Sequence, residues 1–216
     1  MDLRPQIIES GMGSDVTLRF GGREVKAHQW VLSASSEYFT KAFNGSFNAS
    51  SESSTKVIEL HDDNPDALHG LLEMMYGADS HHSLWFYTCV HRADDVNNRQ
   101  LEPQNSTTCY GLYLVDMYVA ARKYLVREAA AETQQSLCGQ YGPIQRETPS
   151  VSYEVLKHIY TTHAEAAFDL RAAVVRRWVE CLNQYSKGPA EQTETAQKLV
   201  KEIPDFAVDV FTALGA

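Results

Sequence analysis

Two runs of alternating apolar and polar residues, Val16-Thr17-Leu18-Arg19-Phe20 and Glu24-Val25-Lys26-Ala27, stand on either side of the pair Gly21-Gly22. Alternation with a period of two puts the apolar side chains of an extended strand on one face. Glycine at the joining positions supplies the positive φ angles that a tight two-residue turn requires. The segment therefore predicts a β-hairpin with one buried face, so the chain must contain sheet as well as helix. Two glycines followed by Lys26 also invite comparison with phosphate-binding loops. Those loops open a helix from Gly-x-x-x-x-Gly-Lys-Ser/Thr or Gly-x-Gly-x-x-Gly, whereas a second strand follows here, and the nucleotide reading is set aside.

Helical spacing comes next. Val31, Leu32 and Ala34 form an apolar stripe in "HQWVLSASS", and Tyr38, Phe39, Ala42 and Phe43 do the same in "SEYFTKAFN". The Ser-rich "GSFNASSESST" reads as a loop and "KVIEL" as a short strand. In "DDNPDALHGLLEMMYG", Asn64 is placed as an N-cap with Pro65 at the first helical position, burying Leu68, Leu71, Leu72 and Met75. Periodicity lapses from Ala78 to about Cys109, apart from an apolar knot at Trp85, Phe86 and Tyr87, and this stretch reads as an insertion. It returns in "YGLYLVDMYVAARKYLV", where Leu114, Tyr118, Ala121 and Leu125 are expected to share one face, and continues through "REAAAETQQSLCGQY". Past Gly142 and Pro143 only helical patterns follow: "SYEVLKHIY", "AFDLRAAVVRRWVECLNQY" and "DFAVDVFTAL". The expected organisation is an α/β domain over residues 1–142, interrupted at about 78–109, and an all-α extension over 143–216.

At 44% hydrophobic residues the chain can bury a core. Asp and Glu number 28 against 19 Lys and Arg, a net charge of −9, which disfavours a grip on nucleic acid phosphates. The densest basic run, "RAAVVRRW", reads as the solvated side of a helix whose other side is Val174, Val175 and Trp178. No window approaches the roughly 18 apolar residues of a membrane span, and the start lacks the basic and apolar regions of a secretory signal. The expectation is a soluble protein of cytoplasm or nucleus, with no membrane partner. Cys89, Cys109, Cys138 and Cys181 are scattered without a Cys-x-x-Cys pair, as free thiols would be. The sequons at Asn44, Asn48 and Asn105 are then coincidental.

His81, His82, Cys89, His91 and Cys109 offer the atom types that bind zinc, but Cys89-x-His91 is too cramped for the usual paired spacing, so no metal or cofactor is expected. An enzyme reading would take Cys89 or Cys109 as nucleophile and His82 or His91 as base. These lie in the aperiodic insertion, without the rigid support a catalytic constellation needs. No catalytic residue is assigned.

Ser14-Asp15-Val16-Thr17, the Gly-Gly hairpin, Ala27-His28, Val31-Leu32, Ser36-x-Tyr38-Phe39, Phe43, "KVIEL" and "LLEMMYG" occur in an order that resembles the BTB/POZ domain, from about Ile7 to Leu137. "VDMYVAARKYLV" resembles that family's closing helix pair, and the chain most resembles the fungal stand-alone type with a helical tail. The resemblance implies an α/β fold of the α+β type, a small sheet surrounded by helices, used for protein–protein association without catalytic groups. It also implies positions for that role. Family dimers use a helix before the first strand, here only "PQIIES" with Ile7 and Ile8, together with the helix that carries Trp30. Asp15 matches the aspartate of a charged pocket at the dimer floor, but Gln29 stands where the transcription-factor members place a cation. Trp30 replaces a small residue, so its ring either faces a partner or fills the core. His28 resembles the family's fold histidine, with a hydrogen-bonded structural role. In adaptors of cullin-type ubiquitin ligases the loop after the second short helix carries an apolar residue, any residue, then Glu. Phe47-Asn48-Ala49 stands there, with alanine in place of the glutamate. The expected function is homo- or hetero-association with protein partners. A substrate adaptor binding a cullin scaffold is the alternative, and transcriptional regulation through a partner, without direct contact to nucleic acid, is the second.

Overall fold

The structure, a computed structural model, describes residues 11–44, 56–78, 103–139, 153–163, 166–184 and 198–215. The chain divides into two compact units, residues 1–101 with 116–132 and residues 102–115 with 133–216.

In the first unit, β1 (Val16–Phe20) and β2 (Arg23–Ala27) pair antiparallel with Phe20 opposite Arg23, so Gly21 and Gly22 are the whole turn. Their φ angles, 51° and 77°, are both in the left-handed region that glycine enters without steric cost. Two short helices follow, α1 (Gln29–Ser35) and α2 (Glu37–Asn44). The chain then enters β3 (Lys56–Glu59), which lies parallel to β1 and completes a sheet of order β2-β1-β3. As the central strand, β1 is covered more fully than alternation alone would require. Val16, Leu18 and Phe20 are buried, and so is Thr17.

Helix α3 (Pro65–Met75) begins as its sequence requires: Asn64 Oδ1 accepts from the backbone N–H groups of Asp66 (3.0 Å) and Ala67 (3.4 Å), and Pro65 takes the first turn. Asn64 also donates through Nδ2 to Asp116 Oδ2 at 2.7 Å. Leu68, Leu71, Leu72 and Met75 all face the core with Leu32 and Phe39. Ala34, expected with Val31 and Leu32 on the buried stripe, is exposed instead, because α1 is only two turns long and buries a narrow face.

Helices α4 (Pro103–Lys123) and α5 (Arg127–Gly139) each contribute residues to both units. Two expectations need correction here. Helix begins at Pro103, inside the stretch read as an aperiodic insertion to about Cys109. At the other end, Leu114, Tyr118 and Ala121 are buried together, but Leu125 does not join them. It lies past the last residue of α4, with φ 55° and 41% of its surface exposed. The N–H of Val126 reaches back to Ala121 O (2.8 Å) and that of Leu125 to Arg122 O (3.2 Å), closing the helix around a left-handed residue where glycine is the usual choice.

The second unit is helical. Besides its parts of α4 and α5 it contains α6 (Tyr153–Thr161), α7 (Phe168–Gln184), helical residues 198–202 and α8 (Pro204–Leu214). Its centre is aromatic: Phe206 meets the edges of Trp178 (5.4 Å) and Tyr160 (5.7 Å), and the Arg171 guanidinium lies 4.3 Å over Tyr160. The basic run behaves as its pattern implies. Val174, Val175 and Trp178 are buried, Arg176 is exposed, and Arg177 pairs with Glu180 at 3.1 Å. No helix among the described residues is long and apolar enough to cross a membrane.

A surface pair joins α6 to residues 198–202. The Tyr153 hydroxyl donates to the Glu202 carboxylate, a bond that pushes Tyr153 up to about 12 and pulls Glu202 below its ordinary value. Because Tyr153 is raised, its contribution to stability is complete below its ordinary value of 10.0 and is lost as pH rises through about 12. Because Glu202 is lowered, its contribution is present above 4.5 and fades as the carboxylate protonates. Tyr153→Phe should therefore flatten both shoulders of a plot of Tm against pH, which scanning calorimetry would read. An unchanged profile would mean that the pair contributes nothing in solution.

Candidate functional site

The start of α1 gathers the residues that the sequence nominates for association. Asp15 Oδ1 accepts from the N–H of Gln29 at 2.8 Å, satisfying one of the open donors at the head of the helix. Gln29 Nε2 donates back to Asp15 O at 3.3 Å. The same aspartate uses its main chain to bind Ala27 O (3.2 Å) and Lys56 N (3.4 Å), so it fastens α1 to the sheet. Asp15 and Gln29 thus meet through two hydrogen bonds, one to the carboxylate from the Gln29 main chain and one from the Gln29 side chain to the Asp15 main chain.

One residue on, Trp30 projects away from the buried pair Val31 and Leu32 and is 72% exposed, so it is no part of the core. Its neighbourhood is rigid. The polar atoms of buried His28 are all engaged, its main-chain oxygen accepting from the N–H of Leu32 at 3.1 Å. Its N–H donates to Tyr76 Oη at 2.8 Å, its Nδ1 lies 2.9 Å from the same oxygen, and its Nε2 lies 3.1 Å from Met12 O. A carbonyl can only accept, so Nε2 carries the proton. Nδ1 must then accept from the Tyr76 hydroxyl, which accepts in turn from the main chain. His28 is hydrogen-bonded in the fold as expected, and its partner is Tyr76, which the sequence pattern did not single out. Tyr76→Phe should leave two buried groups of His28 unpaired and cost about 1 to 3 kcal/mol in urea unfolding. A loss no larger than that of a surface tyrosine would contradict the network.

A second concavity on the same unit, about 310 Å³, is lined by the α1–α2 junction, the end of α3 and the turn into α5. Met74, Met75, Leu125 and Val126 are the larger apolar residues of its lining, and Glu37, Glu128 and Glu132 outnumber Arg127, which pairs with Glu37 at 2.6 Å. The exposed leucine in a left-handed conformation is costly, by about 1 to 2 kcal/mol. Leu125→Gly should release that strain while losing partial burial and adding unfolded-state entropy, leaving stability within about 1 kcal/mol of native. A cost of 2 to 5 kcal/mol, the usual result of truncating a core leucine, would show that this side chain serves packing after all.

Ile7, Ile8, Phe47, Asn48, Ala49, Trp85, Phe86 and Tyr87 lie outside the described residues, as do His81, His82, Cys89 and His91. Cys109 is an exposed free thiol on α4, and Cys138 a half-buried one whose pKa is raised by burial.

Comparison with known proteins bears on residues 6–84, which match the family model for the BTB/POZ domain. Human Kelch-like protein 11 is 36% identical over 72 residues, 31% of this chain and 10% of that protein. Mouse Kelch-like protein 17 is 35% identical over 71 residues, 33% of this chain and 11% of that protein. The matched stretch spans about a tenth of the length of these relatives.

Proposed function

We propose that this chain, which carries a BTB/POZ domain over residues 6–84, works without catalysis as an association module whose contact face centres on Trp30. The BTB/POZ domain is a protein–protein interaction module, and the observation that carries the reading is the exposure of Trp30 beside a fixed polar rim. An indole turned to water gains most when a partner covers it. Asp15 and Gln29 provide the rim, and Ile7 and Ile8, in the segment before β1, add apolar contacts. The occupant is a protein, with a second copy of the chain as the first candidate. The domain organisation that goes with this reading is 1–142, with an insertion between α3 and α4, and a helical extension over 143–216. The chain acts in the cytoplasm or nucleus and uses no cofactor.

The adaptor reading rests on Phe47-Asn48-Ala49, and the missing carboxylate at Ala49 weighs against it. A third reading, transcriptional regulation through a partner, adds no residue to the site. Incubation of the full chain with a purified cullin scaffold separates the first two. No stoichiometric capture is expected. Capture that is lost on Phe47→Ala would replace association by the adaptor function.

A further inference from the structure

The end of α6 carries a pair of histidines that the sequence pattern did not single out. His158 stands in the last turn of the helix and His163 just past it, with four residues between them, a spacing within the three to five common to paired histidine ligands. Along an unbroken helix, five positions would turn the second side chain about 140° away from the first. Because α6 stops at Thr161, the two rings meet instead, edge to face, with 4.8 Å between their centroids. Both side chains are half-buried, so solvent and ions reach them. The backbone around them is fixed: the N–H of Thr162 donates to His158 O at 3.0 Å, and that of Ala167 to His163 O at 2.8 Å.

Coordination makes a specific demand on such a pair. Two imidazoles bound to one tetrahedral zinc ion, through bonds of about 2.0 to 2.1 Å, have ring centres about 5 Å apart. The pair already stands at that separation, and a ring nitrogen of each lies within 4.8 Å of one on the other, so side-chain rotation alone can aim both at a common point. The cations next to the pair in sequence are directed to aromatic faces: the Lys157 ammonium lies 5.7 Å over Tyr153 and the Arg171 guanidinium 4.3 Å over Tyr160. Imidazole nitrogen selects zinc, nickel or copper over magnesium and calcium, which prefer oxygen. We infer that His158 and His163 form a site for a divalent ion of the zinc class, which clips the end of α6 to the turn that follows it. Two protein ligands leave the other coordination positions to water, and the ion's role is structural. The site does not depend on association through Trp30.

The test titrates zinc chloride into the full chain labelled with nitrogen-15 at histidine. His81, His82, Cys89 and His91 also offer ligand atoms, so the site is read through its own ring signals, assigned with His158→Gln and His163→Gln. In the native chain the signals of His158 and His163 should shift together, at one common zinc concentration, and about a hundredfold excess of magnesium chloride should not reverse the shift. In each variant the surviving histidine should need at least about tenfold more zinc, because one imidazole holds the ion far less well than two. Zinc binding to the folded chain should also raise Tm, and by less in either variant. Both substitutions alter half-buried side chains, and circular dichroism would verify their folds. Signals of His158 and His163 that zinc leaves in place overturn the inference. So does a surviving histidine that titrates with zinc in the variant as it does in the native chain, since the two rings would then not share an ion.

Discussion

Gly21→Ala should destabilise the first unit by about 2 to 5 kcal/mol, and Gly22→Ala by only about 1 to 2 kcal/mol, although the two glycines are adjacent and share a left-handed backbone. The conformational cost is common to both. What separates them is space: a Cβ on Gly21 would sit 2.2 Å from Pro65 Cγ and 2.8 Å from Pro65 Cβ, whereas one on Gly22 meets nothing within 4 Å. A proline ring cannot rotate out of the way, so the hairpin turn must leave the head of α3. Arg23 would be pulled with it, and its bonds to Pro65 O (3.2 Å) and to the Asp66 carboxylate would break. Urea unfolding of the two variants measures the difference. Equal losses would mean that the turn does not rest on Pro65.

The other large effect is expected at Tyr124, where alanine should cost about 3 to 5 kcal/mol and phenylalanine about 1 to 2 kcal/mol. The side chain is almost fully buried, stacked on Phe39 (5.7 Å between centroids, 11° between planes) and met at its edge by Tyr38 at 5.0 Å. Its hydroxyl donates to Asp63 Oδ2 at 2.5 Å, and burial together with that carboxylate holds its pKa far above the ordinary tyrosine value, so it stays a neutral donor. Its main-chain oxygen accepts from Ser36 Oγ at 2.6 Å, tying the end of α4 to the head of α2. Phenylalanine keeps the ring contacts and leaves Asp63 with Lys123 Nζ at 2.9 Å. If phenylalanine cost as much as alanine in the same unfolding experiment, the hydroxyl and not the ring would dominate.

The elements that sequence revealed are those with local signals. Two glycines between alternating runs can hardly be anything but a tight hairpin, and Asn64-Pro65 announces a helix through capping and a fixed φ. The ends of α4 gave no comparable sign. Its first turns are Gln104, Asn105, Ser106, Thr107 and Thr108, mostly poor helix formers, and only Pro103 at the first position hinted at a start. Its other end has no glycine or proline nearby, because Leu125 adopts the left-handed conformation itself and periodicity runs on past the real terminus. The site was legible in part. Asp15 and Gln29 could be matched by position, but whether Trp30 turned inward or outward depends on how α1 packs, which no local pattern states. The concavity at Leu125 draws on the α1–α2 junction, α3 and the turn into α5, far apart in the chain, and only tertiary structure assembles it.

Association through Trp30 is the claim on which the functional reading stands. Covering the exposed part of this indole is worth about 3 to 5 kcal/mol per protomer, which in a symmetric pair is comparable with the roughly 4 to 15 kcal/mol cost of association. Removing it should therefore be decisive, weakening the dimer by about 30-fold or more. Sedimentation velocity of the native chain and of Trp30→Ala, both at micromolar concentration, reads this directly. A native dimer that becomes monomer in the variant is expected, whereas a native monomer, or a dimer that Trp30→Ala leaves intact, would contradict the account.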